Sequence, residues 1–77
     1  MTIKVLFFGP LTDKVSTTSI EMNEINDTDS LRTTLFALYP SLNEVSFSLS
    51  VNRKFVHHNT PLHHGDEVAC LPPFSGG

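Results

Sequence analysis

The sequence predicts an α+β fold in which one helix packs on one face of a small mixed sheet. Three features point there: several short stretches of period-two alternation, one stretch of helical spacing among them, and a length of 77 residues that suits a single domain. Hydrophobic residues make up 39%, enough for a modest core near the lower size limit for a chain without staples.

Ile3, Val5 and Phe7 alternate with Lys4, Leu6 and Phe8, a strand ended by Gly9-Pro10. With the first set facing the core, Leu6 and Phe8 point to a face that a small domain leaves uncovered. Thr12-Asp13-Lys14 reads as a turn region. Thr18, Ile20 and Met22 then alternate with Ser19, Glu21 and Asn23, a half-buried strand suited to pair with the first as a hairpin. Asn26 to Ser30 is a cluster of N-cap residue types, and a helix is expected from there to about Tyr39, stopped by Pro40. Its core face is read as Leu31, Leu35 and Leu38, at i, i+4 and i+7. Phe47, Leu49 and Val51 alternate with serines. Asn52-Arg53 turns that strand into a short return, Lys54-Phe55-Val56. A loop from His57 to His64 and a Gly65-Asp66 turn lead to the last strand, Glu67 to Leu71. Strand, strand, helix, strand, short strand, strand, with one leucine-faced helix, is a β-grasp or ubiquitin-like order. Residues 1–77 are expected to form one such domain, with 72–77 as a flexible tail.

That tail is Pro72-Pro73-Phe74-Ser75-Gly76-Gly77. The prolines fix φ and favour an extended base, while Gly76 and Gly77 carry no side chain and suit passage through a narrow channel. Fully extended, six residues reach roughly 20 Å. The one reactive group at the tip is the Gly77 α-carboxylate.

Other chemistries find little support. The five basic residues are scattered and net charge is −3, so no nucleic-acid partner is expected. Cys70 is the single cysteine, which fits a reducing compartment and reads as a small core side chain on a strand. His57-His58 and His63-His64 are adjacent pairs in a loop, a poor chelating geometry, so no metal is expected. Asp66 and Glu67 are adjacent and do not suit a shared proton. Val5-Leu6-Phe7-Phe8 is too short for a signal sequence or a membrane span. A cytoplasmic protein, not catalytic alone and binding no cofactor itself, is the expectation.

At both ends the residues resemble a known family. Ile3-Lys4-Val5-Leu6-Phe7-Phe8-Gly9 is similar to the opening strand of the small subunits of molybdopterin synthase (MoaD), within the MoaD/ThiS group of ubiquitin-like sulfur carriers. So are Val51-Asn52, Phe55-Val56, Pro61-Leu62, Gly65-Asp66-Glu67-Val68-Ala69 and the proline-proline, two-residue, glycine-glycine ending. From Pro10 to Phe47 only the element order matches, and Leu71 stands where an aromatic is common. The resemblance implies a sulfur carrier of molybdenum-cofactor synthesis. Gly77 would be adenylated by a ubiquitin-activating-like (MoeB-like) adenylyltransferase using ATP and Mg²⁺, then converted by a sulfur donor to a thiocarboxylate. With Gly76 it would enter the large subunit (MoaE-like) of a heterotetramer and donate sulfur to a pyranopterin precursor. Phe8, Phe55 and Leu71 match interface positions of the family, and with Pro72, Pro73, Phe74 and Ser75 they are the expected partner-binding residues. A ThiS-like carrier of the thiamine pathway, or a protein modifier conjugated through Gly77, is the alternative.

Overall fold

A computed structural model describes residues 1–73; Phe74, Ser75, Gly76 and Gly77 lie outside the described residues. The elements are β1 (Thr2–Phe7), α1 (Leu11–Val15), β2 (Ser19–Asn23), α2 (Thr28–Leu38), a 3₁₀ helix at Pro40–Glu44, β3 (Ser48–Val51), β4 (Lys54–Val56) and β5 (Glu67–Leu71). They build one five-stranded sheet in the order β2-β1-β5-β3-β4. β1 and β5 run parallel at the centre, and the other neighbours are antiparallel. The mixed sheet with its single main helix is the expected β-grasp.

Alternation in β1 and β5 places Ile3, Val5, Phe7, Val68 and Cys70 in the core. Leu31 and Leu35 of α2, both fully buried, belong to the same cluster, as do Leu49, Leu62, Met22 and Ile25. Asp27 caps α2: its backbone is extended and its carboxylate accepts the Ser30 N–H at 2.9 Å, satisfying a donor that the first turn leaves orphaned. The loop after β4 is stitched to this same helix start. Thr28 N–H donates to Thr60 O, Thr60 N–H donates to the Thr28 hydroxyl, and Asp27 pairs with Pro61 through an isolated bridge. Thr28 is therefore buried.

Four local expectations need correction. Leu38 does not join the helix's buried stripe; it is 57% exposed. The chain leaves helical geometry at Tyr39, and Leu42 on the following 3₁₀ helix enters the core instead. Residues 12–14 are helical rather than a turn, because Leu11 and Val15, spaced i, i+4, both find the core. Thr18 lies outside β2 and is exposed, so the inward pair of that strand is half-buried Ile20 with buried Met22. Phe47 is buried, yet β3 begins one residue later.

These placements separate two leucines that look alike in sequence. Leu35→Ala should cost about 2–5 kcal/mol of stability, the usual price of a cavity in a packed core. Leu38→Ala should cost about 0.5 kcal/mol or less. Urea denaturation of both variants checks this, and equal losses would contradict the assigned helix face.

Candidate partner-docking face

With α2 and α1 on one side, the other face of the sheet carries the opposite parity of every strand. The register aligns Leu6 with Ala69, Ala69 with Ser50, and Ser50 with Phe55. One row across the sheet is thus Leu6, Ala69, Ser50, Phe55. A second lies nearer the tail, where Leu71 ends β5 and Phe8 N–H donates to Cys70 O at 3.2 Å. The row toward the other end is charged, since Lys4 sits beside Glu67 and Glu21.

Size decides the relief of this face. Small Ser50 and Ala69 form a floor, while Phe55 and the pair Leu6 and Phe8 rise on either side. The result is a hollow of about 430 Å³ lined by Leu6, Phe8, Ser50, Arg53, Phe55, Glu67, Ala69 and Leu71. Phe8 is 44% and Phe55 48% exposed, whereas Ser50 is buried beneath its neighbours despite facing outward. Large exposed apolar groups gathered in one concave patch mark an interaction surface. Scattered singly, they would mean nothing.

The hairpin that presents Phe55 is tightly held. Asn52 and Arg53 have φ of +50° and +71°, the paired left-handed geometry of a two-residue hairpin turn. Asn52 N–H donates to Glu67 O, Glu67 N–H donates to the Asn52 side-chain oxygen, and the Asn52 amide donates to Asp66 at 2.9 Å. That bond from Asn52, with a second from His63 N–H, holds the Asp66 carboxyl below the usual carboxylate range. The tail root is held as well. Pro72 is half-buried, and Gly9, at φ +58°, leaves so little room that a Cβ there would sit 3.2 Å from Pro72 Cγ.

The structure thus brings together Phe8, Phe55 and Leu71, with Pro72 and Pro73 following directly. The lining positions absent from the expected partner-binding residues are Leu6, Ser50, Ala69, Arg53 and Glu67. Ala69 could have been found, because it shares the parity of Leu71. Ser50 could not, because the floor exists only through the cross-strand register.

The remaining reactive groups lie elsewhere. Cys70 is 1% exposed, and burial pushes its thiol up to about 12, with Arg32 pulling weakly the other way. His64 accepts the Thr2 N–H on Nδ1 at 3.0 Å, and His63 lies 3.9 Å from Asp66. Among the described residues no three His, Cys, Asp or Glu side chains are grouped to hold a metal ion. No helix among them is long and apolar enough to cross a membrane.

Comparison with known proteins agrees with this geometry. The ThiS family model matches residues 5–77. The chain belongs to the ThiS family. A molybdopterin synthase sulfur carrier subunit from Chlamydomonas reinhardtii is 32% identical over 83 aligned positions, covering 100% of both chains. A chain of the complex of subunits 1 and 2 of the Helicobacter pylori molybdopterin-converting factor is also 32% identical, with a TM-score of 0.77 and 100% coverage each way. SAMP1 of Haloferax volcanii superposes with a TM-score of 0.82 over 100% of both chains at 18% identity, a likeness that shows the shared fold alone. The resemblance to MoaD and the ubiquitin-like fold expected from the sequence are both upheld.

Burial of Cys70 carries a direct consequence. A thiol that titrates only near 12 stays protonated across the neutral range, and the thiolate is the reactive form. Folded protein at pH 8 should resist iodoacetamide, and the same protein in denaturant should be alkylated fully. Intact mass reads the outcome; alkylation of the folded chain at the rate of a free thiol would contradict the placement of Cys70.

Proposed function

We propose that this chain is the sulfur carrier of a molybdopterin synthase, its small subunit, acting through the carboxylate of Gly77. The observation that carries this reading is full-length likeness at 32% identity to a carrier subunit of that enzyme and to a chain of a two-subunit converting factor, joined to a sequence that ends in Gly76-Gly77. The chemistry begins with a poor electrophile. A carboxylate oxygen of Gly77 attacks the α-phosphorus of ATP on a MoeB-like activating enzyme with Mg²⁺, and pyrophosphate leaves. Sulfur delivered by a donor at the sulfide level displaces AMP from the acyl-adenylate and yields a thiocarboxylate. Its soft sulfur is nucleophilic at neutral pH without a general base, so the carrier needs no catalytic side chain of its own. The thiocarboxylate sulfur then bonds to a carbon of a pyranopterin precursor in the large subunit, displacing an oxygen leaving group, and water cleaves the acyl–sulfur bond to return the carboxylate.

The uncovered face supports the same reading. The hollow between Phe55 and Phe8 lies at the root of the tail, so a partner seated there captures the domain and admits Gly76 and Gly77 to its own pocket. The partner is a MoaE-like large subunit in a heterotetramer of two small and two large chains, located in the cytoplasm. A second reading, conjugation of Gly77 to lysines of target proteins, is compatible with the same fold, which SAMP1 of Haloferax volcanii shares. The product separates the two: a thiocarboxylate for a carrier, isopeptide-linked adducts for a modifier.

The test removes Gly77. Its deletion strips no packed side chain from the core, so thermal denaturation should match the parent. It withdraws the reacting carbon by about 3.5 Å, and misplacement by even ~1 Å can cost about a hundredfold in rate. The shortened chain should give no product in a reconstituted assay with activating enzyme, sulfur donor and large subunit. Transfer at the parental rate would mean that Gly77 does not carry the sulfur.

A further inference from the structure

A second hollow, on the helix side of the molecule, has no part in the proposed sulfur chemistry. It measures about 250 Å³ and is lined by Thr28, Asp29, Arg32, Phe47, Ser48, Leu49, Val56, His57 and His58. It opens where the β3–β4 ladder ends. Leu49 pairs with Val56; beyond that pair β4 gives way to His57 and His58, while β3 runs one residue further to Ser48, preceded by Phe47. Its nitrogen donors come from Arg32 on α2 and from the two imidazoles at the mouth of the loop.

Arg32 is set up for a ligand. Its guanidinium lies over the Phe47 ring, 5.0 Å from the centroid, which anchors the planar group by cation–π attraction and leaves its edge donors available. Among the described residues no carboxylate oxygen lies within ion-pair distance of it; the three ion pairs involve Met1, Lys14 and His63. His57 and His58 are exposed, and no side-chain hydrogen bond engages either imidazole among the described residues. The start of α2 cannot contribute, because its donors are spent. Thr28 N–H goes to Thr60 O, Asp29 N–H to Asn59, Ser30 N–H to Asp27, and Leu31 N–H to Asp27 O. Asp29 is the one acidic group in the lining, and it opposes an anion.

We propose that this hollow binds a phosphate-class oxyanion, either free phosphate or a phosphomonoester, through Arg32, His57 and His58. A planar guanidinium presents a fork that matches two oxygens of such an anion, and the imidazoles that follow β4 add further donors to the same lining. Asp29 sets the affinity from the other direction. The site stands apart from the Gly77 chemistry, so it survives or fails independently of that reading.

The full chain, ¹⁵N-labelled, is titrated at pH 7 with inorganic phosphate or with glycerol phosphate, chloride being exchanged to hold ionic strength constant. Saturable shifts are expected at the Arg32 side-chain N–H and at the rings of His57 and His58. His63 and His64 serve as internal controls and stay in place. Arg32→Gln should weaken binding about tenfold, the scale of a lost charged hydrogen bond, with backbone shifts elsewhere retained. Asp29→Asn should tighten it about threefold, as removal of one exposed like charge does. Saturable binding of either ligand supports the proposal, and its loss in Arg32→Gln assigns the site. Shifts that rise without saturation for both ligands, equal shifts at His63 and His64, or an unchanged affinity in Arg32→Gln would overturn it.

Discussion

The parallel pairing of β1 with β5 is the interaction on which the rest of this structure depends. It sets Val5 beside Val68 and Phe7 beside Cys70, all buried. At roughly 1.5–3 kcal/mol for each large apolar side chain withdrawn from water, this central seam outweighs anything the short outer strands provide. The same register fixes the outer face, because side chains alternate strictly along a strand. Once Val68 and Cys70 face inward, Ala69 and Leu71 must face outward beside Leu6 and Phe8. Core and docking face are two readings of one register, and a slip of one residue would exchange them.

Size explains why an apolar face is left open. One main helix of eleven residues covers one side of the sheet, and among the described residues no second layer covers the other. The chain limits the hazard with polar and charged neighbours. Lys4, Glu21 and Glu67 form a charged row at one end of the hollow, whose rim Glu67 shares with Arg53, and Lys54 stands on edge strand β4, the kind of placement that discourages unwanted pairing. What stays exposed is concentrated beside the tail root. In the proposed sulfur-carrier role the sheet would supply recognition, and the segment that follows Leu71 would supply reach. The two tasks share a strand, since β5 ends in Leu71 and continues into Pro72.

Much of this was legible in the sequence, for identifiable reasons. Period-two spacing in Ile3-Val5-Phe7 and Phe47-Leu49-Val51, the Asp27 cap and the Asn52-Arg53 turn are local signals, and local physics decides them. Phe8 and Leu71 were legible as outward-facing from strand parity, whereas Phe55, on the short return strand, was placed by the family resemblance. Leu38 was misread because its exposure is set by the chain reversal at Tyr39 and Pro40, which helical spacing does not encode. α1 was missed because five residues span barely more than one turn, too short for periodicity to register; only the i, i+4 pair Leu11 and Val15 betrays it. Ser50 and the hollow around Arg32 depend on which strands and helices become neighbours. No window along the chain contains that information.

In the proposed complex the uncovered sheet face, and not the helix face, receives the large subunit. Side-chain NMR of the labelled chain, titrated with a molybdopterin synthase large subunit, tests it most directly. The methyl and ring signals of Leu6, Phe8, Phe55 and Leu71 should shift together and saturate at one equivalent, while Leu38 and Phe36 on α2 hold their positions. Movement of Leu38 and Phe36, with the four sheet-face residues unchanged, would place the partner on the helix face instead.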